Sequence, residues 1–200
     1  TTARLLAVVF VLLTVVVAAP TLGLAQPKEV VIGVLYPMTG PNAQPGIDNK
    51  PVIEIGADIA NGVTDLPFPF YQKLKGMPGL KGAKIRLIFA DHQGKPELGQ
   101  SEAERLITQE KVHAIIGCWH SGVTATASQV AERYGIPFMN AESSSPGLTR
   151  RGLKWFFRTS PHDEHFSQAM FDFYKDFEKK RNVKIKTIGL TYDNTLFGAD

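Results

Sequence analysis

The chain has one cysteine, Cys118, among its 200 residues. A single thiol excludes a disulfide within the chain, so the fold must be held together by its core. Two interpretations of Cys118 stay open. It is either a small buried hydrophobe, or the partner of a cysteine beyond Asp200.

The chain also lacks a strong charge of either sign. It carries 22 Lys and Arg against 19 Asp and Glu, for a formal net charge of +3. The densest basic cluster, at 179–181, is expected to be the solvated end of a helix, where cations are favoured by the helix dipole. No basic run with interleaved aromatic residues occurs, so nucleic acid is not expected as a partner.

Motifs for catalysis and for nucleotide binding are missing. No Gly-x-Gly-x-x-Gly segment follows a strand and no Gly-Lys-Ser/Thr loop occurs, so no nucleotide cofactor is expected. The histidines do not form a His-Glu-x-x-His pattern, and Cys118 with His120 lacks a second ligand pair, so no metal is expected. Ser121 lies on a predicted strand-to-helix turn, but Trp119 and Val123 stand where a nucleophile elbow needs glycines. The sequence therefore predicts a protein that is not an enzyme and has no catalytic residue; an exported hydrolase is the last-ranked alternative.

The N-terminal segment resembles a secretory signal. An apolar run at 5–19 follows Arg4, and small residues at 23 and 25 precede Gln26. This predicts a signal peptide over 1–25 and export to the periplasm. The run is short for a membrane span, although an uncleaved anchor remains the alternative. Because the first residue is not Met, the start of the reading frame is expected to be missing.

Apolar runs alternate with helical patterns along the rest of the chain. This order of strands and helices with short connections predicts an α/β fold with a doubly wound parallel sheet. The first regular helix is expected to begin near Pro51, because proline fits best in a first turn. The predicted strands are 29–35, 84–90, 114–117, 136–139, one within 152–161, and 186–191, and the predicted helices are 47–59, 96–110, 123–134 and 163–180.

Two segments are aromatic. The helix at 163–180 carries a stripe of aromatic side chains that is expected to be buried in the core. The segment Gly62–Gly82 is expected to be a surface loop whose aromatic side chains pack against one another, with a lid over the site as the alternative. The chain stops where a helix has barely begun, so it is expected to be a fragment. The stripe consists of Phe166, Met170, Phe173, Tyr174 and Phe177.

Polar loops follow two neighbouring predicted strands, at the edge where open α/β sheets bind ligands. The first loop places Ser121 at the start of a helix, where free backbone N–H groups and the hydroxyl could bind an anion. The second loop supplies hydroxyls and carbonyls from Glu142, Ser143 and Ser144. Together they suit a ligand with a carboxylate at one end and an ammonium or amide at the other. Ordinary capping loops remain the alternative interpretation.

The chain from about 30 to 198 resembles the type I periplasmic solute-binding proteins of the branched-chain amino acid and amide ABC importers. Each motif alone is weak, but their order and spacing together are fairly specific. The segments that carry the resemblance are 31–35 with 38–41, 114–117 with Ser121 and Thr124, 135–137, 145–149 and 157–159.

The resemblance implies a type I periplasmic-binding-protein fold: two Rossmann-like lobes joined by a hinge, with a small-molecule ligand in the cleft. The closed form would be recognised by the membrane subunits of an ABC importer, and no cofactor is implied. The first lobe would cover 26–161, and the second would begin at 162–200. By position, Ser121, Glu142 and Ser144 would hold the ligand's carboxylate and amino groups.

Two positions depart from the amino acid binders of this family. Pro45-Gly46 stands where they have Tyr-Gly, and Phe197-Gly198 stands where they have another tyrosine. The resemblance predicts a small amino-acid-like ligand, and the loss of two hydroxyls makes an aromatic acid or an amide, in place of a branched-chain amino acid, the alternative. A sensor ectodomain is the alternative function, because the same lobes also serve in receptors. The residues expected to line a flatter or aromatic ligand are Trp119, His120, Tyr192 and Phe197.

Overall fold

The structure, a computed structural model, describes residues 28–63 and 74–199. Strands and helices alternate along most of this range, as the apolar pattern predicts. The strands are β1 (Glu29–Tyr36), β2 (Lys84–Asp91), β3 (Ala114–Gly117), β4 (Phe138–Asn140) and β5 (Phe156–Arg158). The helices are α1 (Gln44–Asn61), α2 (Pro96–Thr108), α3 (Ser121–Tyr134), α4 (Gly147–Arg150), α5 (Asp163–Arg181) and α6 (Leu196–Ala199), with a 3-10 turn at Pro78–Leu80.

The five strands form one parallel sheet in the order β2-β1-β3-β4-β5. The predicted α/β class and parallel sheet are thereby confirmed. β1 and β3 lie so close at their carboxyl ends that a Cβ on Gly117 would stand 2.2 Å from the Leu35 carbonyl oxygen. Because all five strands run the same way, their exit loops share one edge of the sheet.

The core lies between this sheet and helices α2 and α3. Leu106, Ile115, Ala127 and Phe138 have no exposed surface there, and burial of each large apolar side chain contributes roughly 1.5–3 kcal/mol. Cys118 belongs to the same cluster. Burial raises the pKa of its thiol, which supports the interpretation of Cys118 as a buried hydrophobe.

The predicted start of the first helix is wrong. Helix α1 begins at Gln44, and Pro51 lies inside it. Pro45 occupies the first turn instead, where its missing N–H costs nothing. The helix ends at Gly62, whose φ of +72° suits a left-handed cap.

The predicted burial of the aromatic stripe is also wrong: no residue of α5 is buried, and Phe173 is 60% exposed. Nor do residues 186–191 form a strand, because no described strand lies beside them to accept and donate the backbone hydrogen bonds. Of the predicted excursion at 62–82, residues 64–73 lie outside the described residues, as does the predicted signal segment 1–25. Within 28–63 and 74–199, none of the helices has the length and apolar character needed to cross a membrane.

Candidate ligand-binding site

The loop between β3 and α3 carries Trp119, His120 and Ser121. Trp119 adopts a φ of +81°, and its side chain is 44% exposed. Ser121 is buried in the first turn of α3, and its Oγ accepts a hydrogen bond of 3.4 Å from the Ser145 amide. No side chain among the described residues caps α3. The positive end of the helix dipole therefore lies beside the Ser121 hydroxyl, which suits an anionic group.

The loop after β4 is held by a set of buried bonds. Asn140 donates from Nδ2 to the Ser143 carbonyl at 2.8 Å and accepts from the Ser143 amide at 3.0 Å. Ser143 Oγ donates to the Trp119 carbonyl at 2.8 Å and lies 2.7 Å from Thr124 Oγ1. Since its single proton goes to Trp119, Ser143 ties the two ligand loops together. The structure thus gives Ser143 a role in building the site.

Glu142 places a carboxylate beside these loops. Its Oε1 accepts a hydrogen bond of 2.8 Å from Asn49 on α1, while its buried Oε2 has no partner among the described residues. Tyr36, at the end of β1, lies near this charge. Its pKa is raised by burial and then by the Glu142 carboxylate. A buried acceptor without a partner is costly, so Oε2 is suited to an N–H donor from a ligand.

A pair of histidines supports the first loop. His92 is fully buried, and its Nδ1 accepts from the Gly94 amide at 2.9 Å, so Nε2 must donate to the Cys118 carbonyl, also at 2.9 Å. Burial lowers the pKa of His92 to about 4, which keeps it neutral. His120 meets His92 edge to face, with ring centroids 5.5 Å apart. The pKa of His120 is lowered by burial, against the opposing charge of Asp193.

Tyr192 and Phe197 lie in a different place from the polar loops. They are 75% and 54% exposed and line a depression of about 870 Å³ between α5 and residues 191–198. Neither Ser121 nor Glu142 lines that depression. Helix α6, which contains Phe197, nevertheless lies against α3. The structure therefore brings together Trp119, His120, Ser121, Glu142, Ser143 and Ser144, and leaves Tyr192 and Phe197 beside them.

Sequence reasoning missed several residues that shape this site. Asn49 gave no signal, since an amide on an exposed helix is ordinary. Arg158 could have been noticed as a cation that closes an apolar strand; its Nη2 donates to the Ser145 carbonyl at 2.6 Å. The preceding carbonyl, that of Ser144, accepts from the Asp163 amide at 3.0 Å. In residues 28–63 and 74–199, no group of three metal-ligating side chains converges.

A parallel sheet with polar loops at its carboxyl edge is the architecture of doubly wound α/β proteins, and type I periplasmic binding proteins share it. The family profile described as "Periplasmic binding protein" matches residues 29–200, and the chain belongs to this family. It is 29% identical over 189 residues to the Leu/Ile/Val-binding protein homolog 3 of Brucella melitensis, covering 94% of this chain and 46% of that protein. Homolog 7 of Brucella abortus is 30% identical over 191 residues, covering 94% and 44%. The chain thus spans about half the length of the curated relatives it matches.

Solved structures agree on the fold. A leucine-binding protein from Thermotoga maritima has a TM-score of 0.57 and 26% identity, over 74% of this chain and 37% of that one. A solute-binding protein from R. palustris in complex with 4-hydroxybenzoate has a TM-score of 0.55 and 19% identity, over 76% and 36%. These relatives are binding proteins by name, and the second shares the fold alone.

Proposed function

We propose that the whole protein is an extracytoplasmic solute-binding protein that captures a small amino-acid-like ligand and delivers it to an ABC importer. One observation carries the proposal. The half-buried Glu142 carboxylate has one buried oxygen, Oε2, without a hydrogen-bond partner among the described residues, and its loop adjoins the start of α3 at Ser121, which no described side chain caps. A zwitterion needs such a pair, with an acceptor for its ammonium and N–H or O–H donors for its carboxylate.

The proposed organisation follows from the same family. Residues 1–25 would direct export to the periplasm, residues 26–161 would form the first lobe, and 162–200 would begin the second. The ligand would bind between the lobes, with Ser121, Glu142 and Ser144 as anchors from the first. Trp119 and His120 would lie along its side, and Tyr192 and Phe197 would approach from the second lobe.

The names of the curated relatives favour a branched-chain amino acid as the ligand. The test is thermal unfolding of the complete mature protein with L-leucine, L-isoleucine or L-valine, compared with 4-hydroxybenzoate and acetamide. A ligand at about one hundred times its Kd adds about 2.7 kcal/mol to the free energy of unfolding. A shift with the amino acids, with the ligand recovered unchanged, would support the proposal. A shift with 4-hydroxybenzoate or acetamide alone would reassign the ligand, and no shift with any of them would contradict solute capture.

A further inference from the structure

Two consecutive backbone carbonyls of the loop after β4 accept hydrogen bonds from the two ends of one connection, the segment between β5 and α5. The Ser145 carbonyl accepts from Arg158, the last residue of β5, and the Ser144 carbonyl accepts from the amide of Asp163, the first residue of α5. We propose that Arg158 is a positioning residue. Arg158 holds the Ser145 carbonyl while the Asp163 amide holds the Ser144 carbonyl. Together these bonds fix the position of the loop at 141–146 and link it to the connection at 159–162. The inference rests on the proposed ligand site.

The bond to the Ser145 carbonyl is the one described hydrogen bond of the Arg158 guanidinium. Arg158 Nη2 makes the 2.6 Å bond, whereas Nε and Nη1 are buried without a hydrogen-bond partner among the described residues. Burial lowers the pKa of Arg158, and the nearby charge of Asp163 opposes that shift. A charged donor to a carbonyl is stronger than a neutral one, so the bond can hold the loop in place.

The contact extends to the proposed anion site. The Ser145 amide donates to Ser121 Oγ at 3.4 Å, so a path of two hydrogen bonds joins Arg158 to the start of α3. The two donors stand on either side of the connection that leads from the sheet to α5. A rotation of α5 relative to the sheet would therefore move the amide that holds Ser144, while Arg158, which belongs to the sheet, keeps hold of Ser145. Such a rotation is the motion expected when the second lobe closes.

Arg158→Met in the complete mature protein tests the proposal, with Arg151→Met as the matched control. Arg151 also bonds to carbonyls, those of Ala125 and Leu148, and to Ser128 Oγ, and none of its described hydrogen bonds reaches the loop at 141–146. The readouts are amide hydrogen exchange at 144–147 without ligand, and the Kd for L-leucine and for 4-hydroxybenzoate by calorimetry.

Arg158→Met is expected to speed amide exchange in the loop by about tenfold, as loss of a charged hydrogen bond implies. It is also expected to raise the Kd about tenfold for whichever of L-leucine and 4-hydroxybenzoate the wild type binds. Arg151→Met is expected to lower the melting temperature and leave both readouts at their wild-type values. Wild-type exchange and wild-type Kd in a folded Arg158→Met would overturn the proposal, and so would equal effects of the two variants.

A second pair of variants, Asp163→Pro and Asp163→Ala, tests the proposal if Arg158→Met does not fold. Asp163 occupies the first position of α5, where proline is favoured, and His162 before it is extended. Asp163→Pro removes the amide donor to Ser144, whereas Asp163→Ala removes only the carboxylate. The proline variant is expected to exchange faster at 144–147 than the alanine variant, and equal rates would contradict the coupling. If the wild-type protein binds neither probe, the proposed ligand fails, while the exchange rates still decide about the coupling.

Discussion

Asn49 and Glu142 are joined by a hydrogen bond of 2.8 Å, from Nδ2 to Oε1, that ties helix α1 to the loop after β4. The same Nδ2 donates to the Pro45 carbonyl at 2.8 Å, so both protons of the amide nitrogen are in use. Glu142 is therefore held in one position, and its second oxygen, Oε2, is buried without a hydrogen-bond partner among the described residues. A carboxylate that is oriented before the ligand arrives spends less free energy on ordering when it binds.

Glu142→Gln should weaken binding of an amino acid ligand. Glutamine keeps the shape and can still accept from Asn49, but it loses the charge that faces an ammonium group. We expect a loss of about 1.5–3 kcal/mol, or roughly ten- to a hundredfold in the Kd for L-leucine measured by calorimetry. The control is Glu132→Gln, since Glu132 accepts from the Lys154 and Trp155 amides away from the site. Unchanged affinity in Glu142→Gln would remove Glu142 from the ligand contacts.

The free energy of unfolding should fall in acid because of His92. Its pKa is about 4 in the folded protein, below the unfolded value of about 6.5, so the unfolded chain binds the proton first as the pH drops. The stability supplied by neutral His92 is complete above about pH 6.5 and is lost as the pH falls towards 4. At about pH 4.5 the loss in the free energy of unfolding is roughly 2–3 kcal/mol.

Urea unfolding of the wild type and of His92→Gln, at about pH 7 and about pH 4.5, measures this loss. The variant should be less stable at neutral pH, because it loses the two bonds of the imidazole, but its stability should change less with pH. An equal loss in both proteins would show that other groups cause the acid sensitivity.

Much of the fold was predictable from local pattern, and the failures have physical causes. The apolar runs that become β1 to β4 are parallel strands, so their exit loops, with Ser121 and Glu142, fall on one edge. Asn49 and Arg158 could not be placed, because their partners are 93 and 13 residues away and no periodicity encodes such contacts. The α5 stripe was misjudged because an apolar face predicts burial only where another layer covers it.

Gly117→Ala should destabilise the protein strongly. The new Cβ would stand 2.2 Å from the Leu35 carbonyl oxygen, and because that atom belongs to a paired strand it cannot move aside. We expect a loss of at least about 3 kcal/mol or failure to fold, measured by urea unfolding. Gly56→Ala is the control, since nothing lies within 4 Å of its added Cβ in α1. That change should stabilise the helix by about 0.5–1 kcal/mol, and equal behaviour of the two variants would contradict the close approach of β1 and β3.

Ser143→Ala should mainly lower the free energy of unfolding, whereas Ser121→Ala should mainly weaken ligand binding. The Ser143 hydroxyl joins the two loops through Trp119 and Thr124, so its removal leaves buried groups unpaired and should cost about 1–3 kcal/mol of unfolding free energy. Within the described part of the chain the Ser121 hydroxyl makes the single, longer bond of 3.4 Å, so its removal should cost little stability while weakening the proposed contact with the ligand's carboxylate. Urea unfolding and calorimetric titration with L-leucine separate the two effects. If Ser143→Ala weakened binding and left stability unchanged, Ser143 would be the ligand contact and the assignment of the two serines would be reversed.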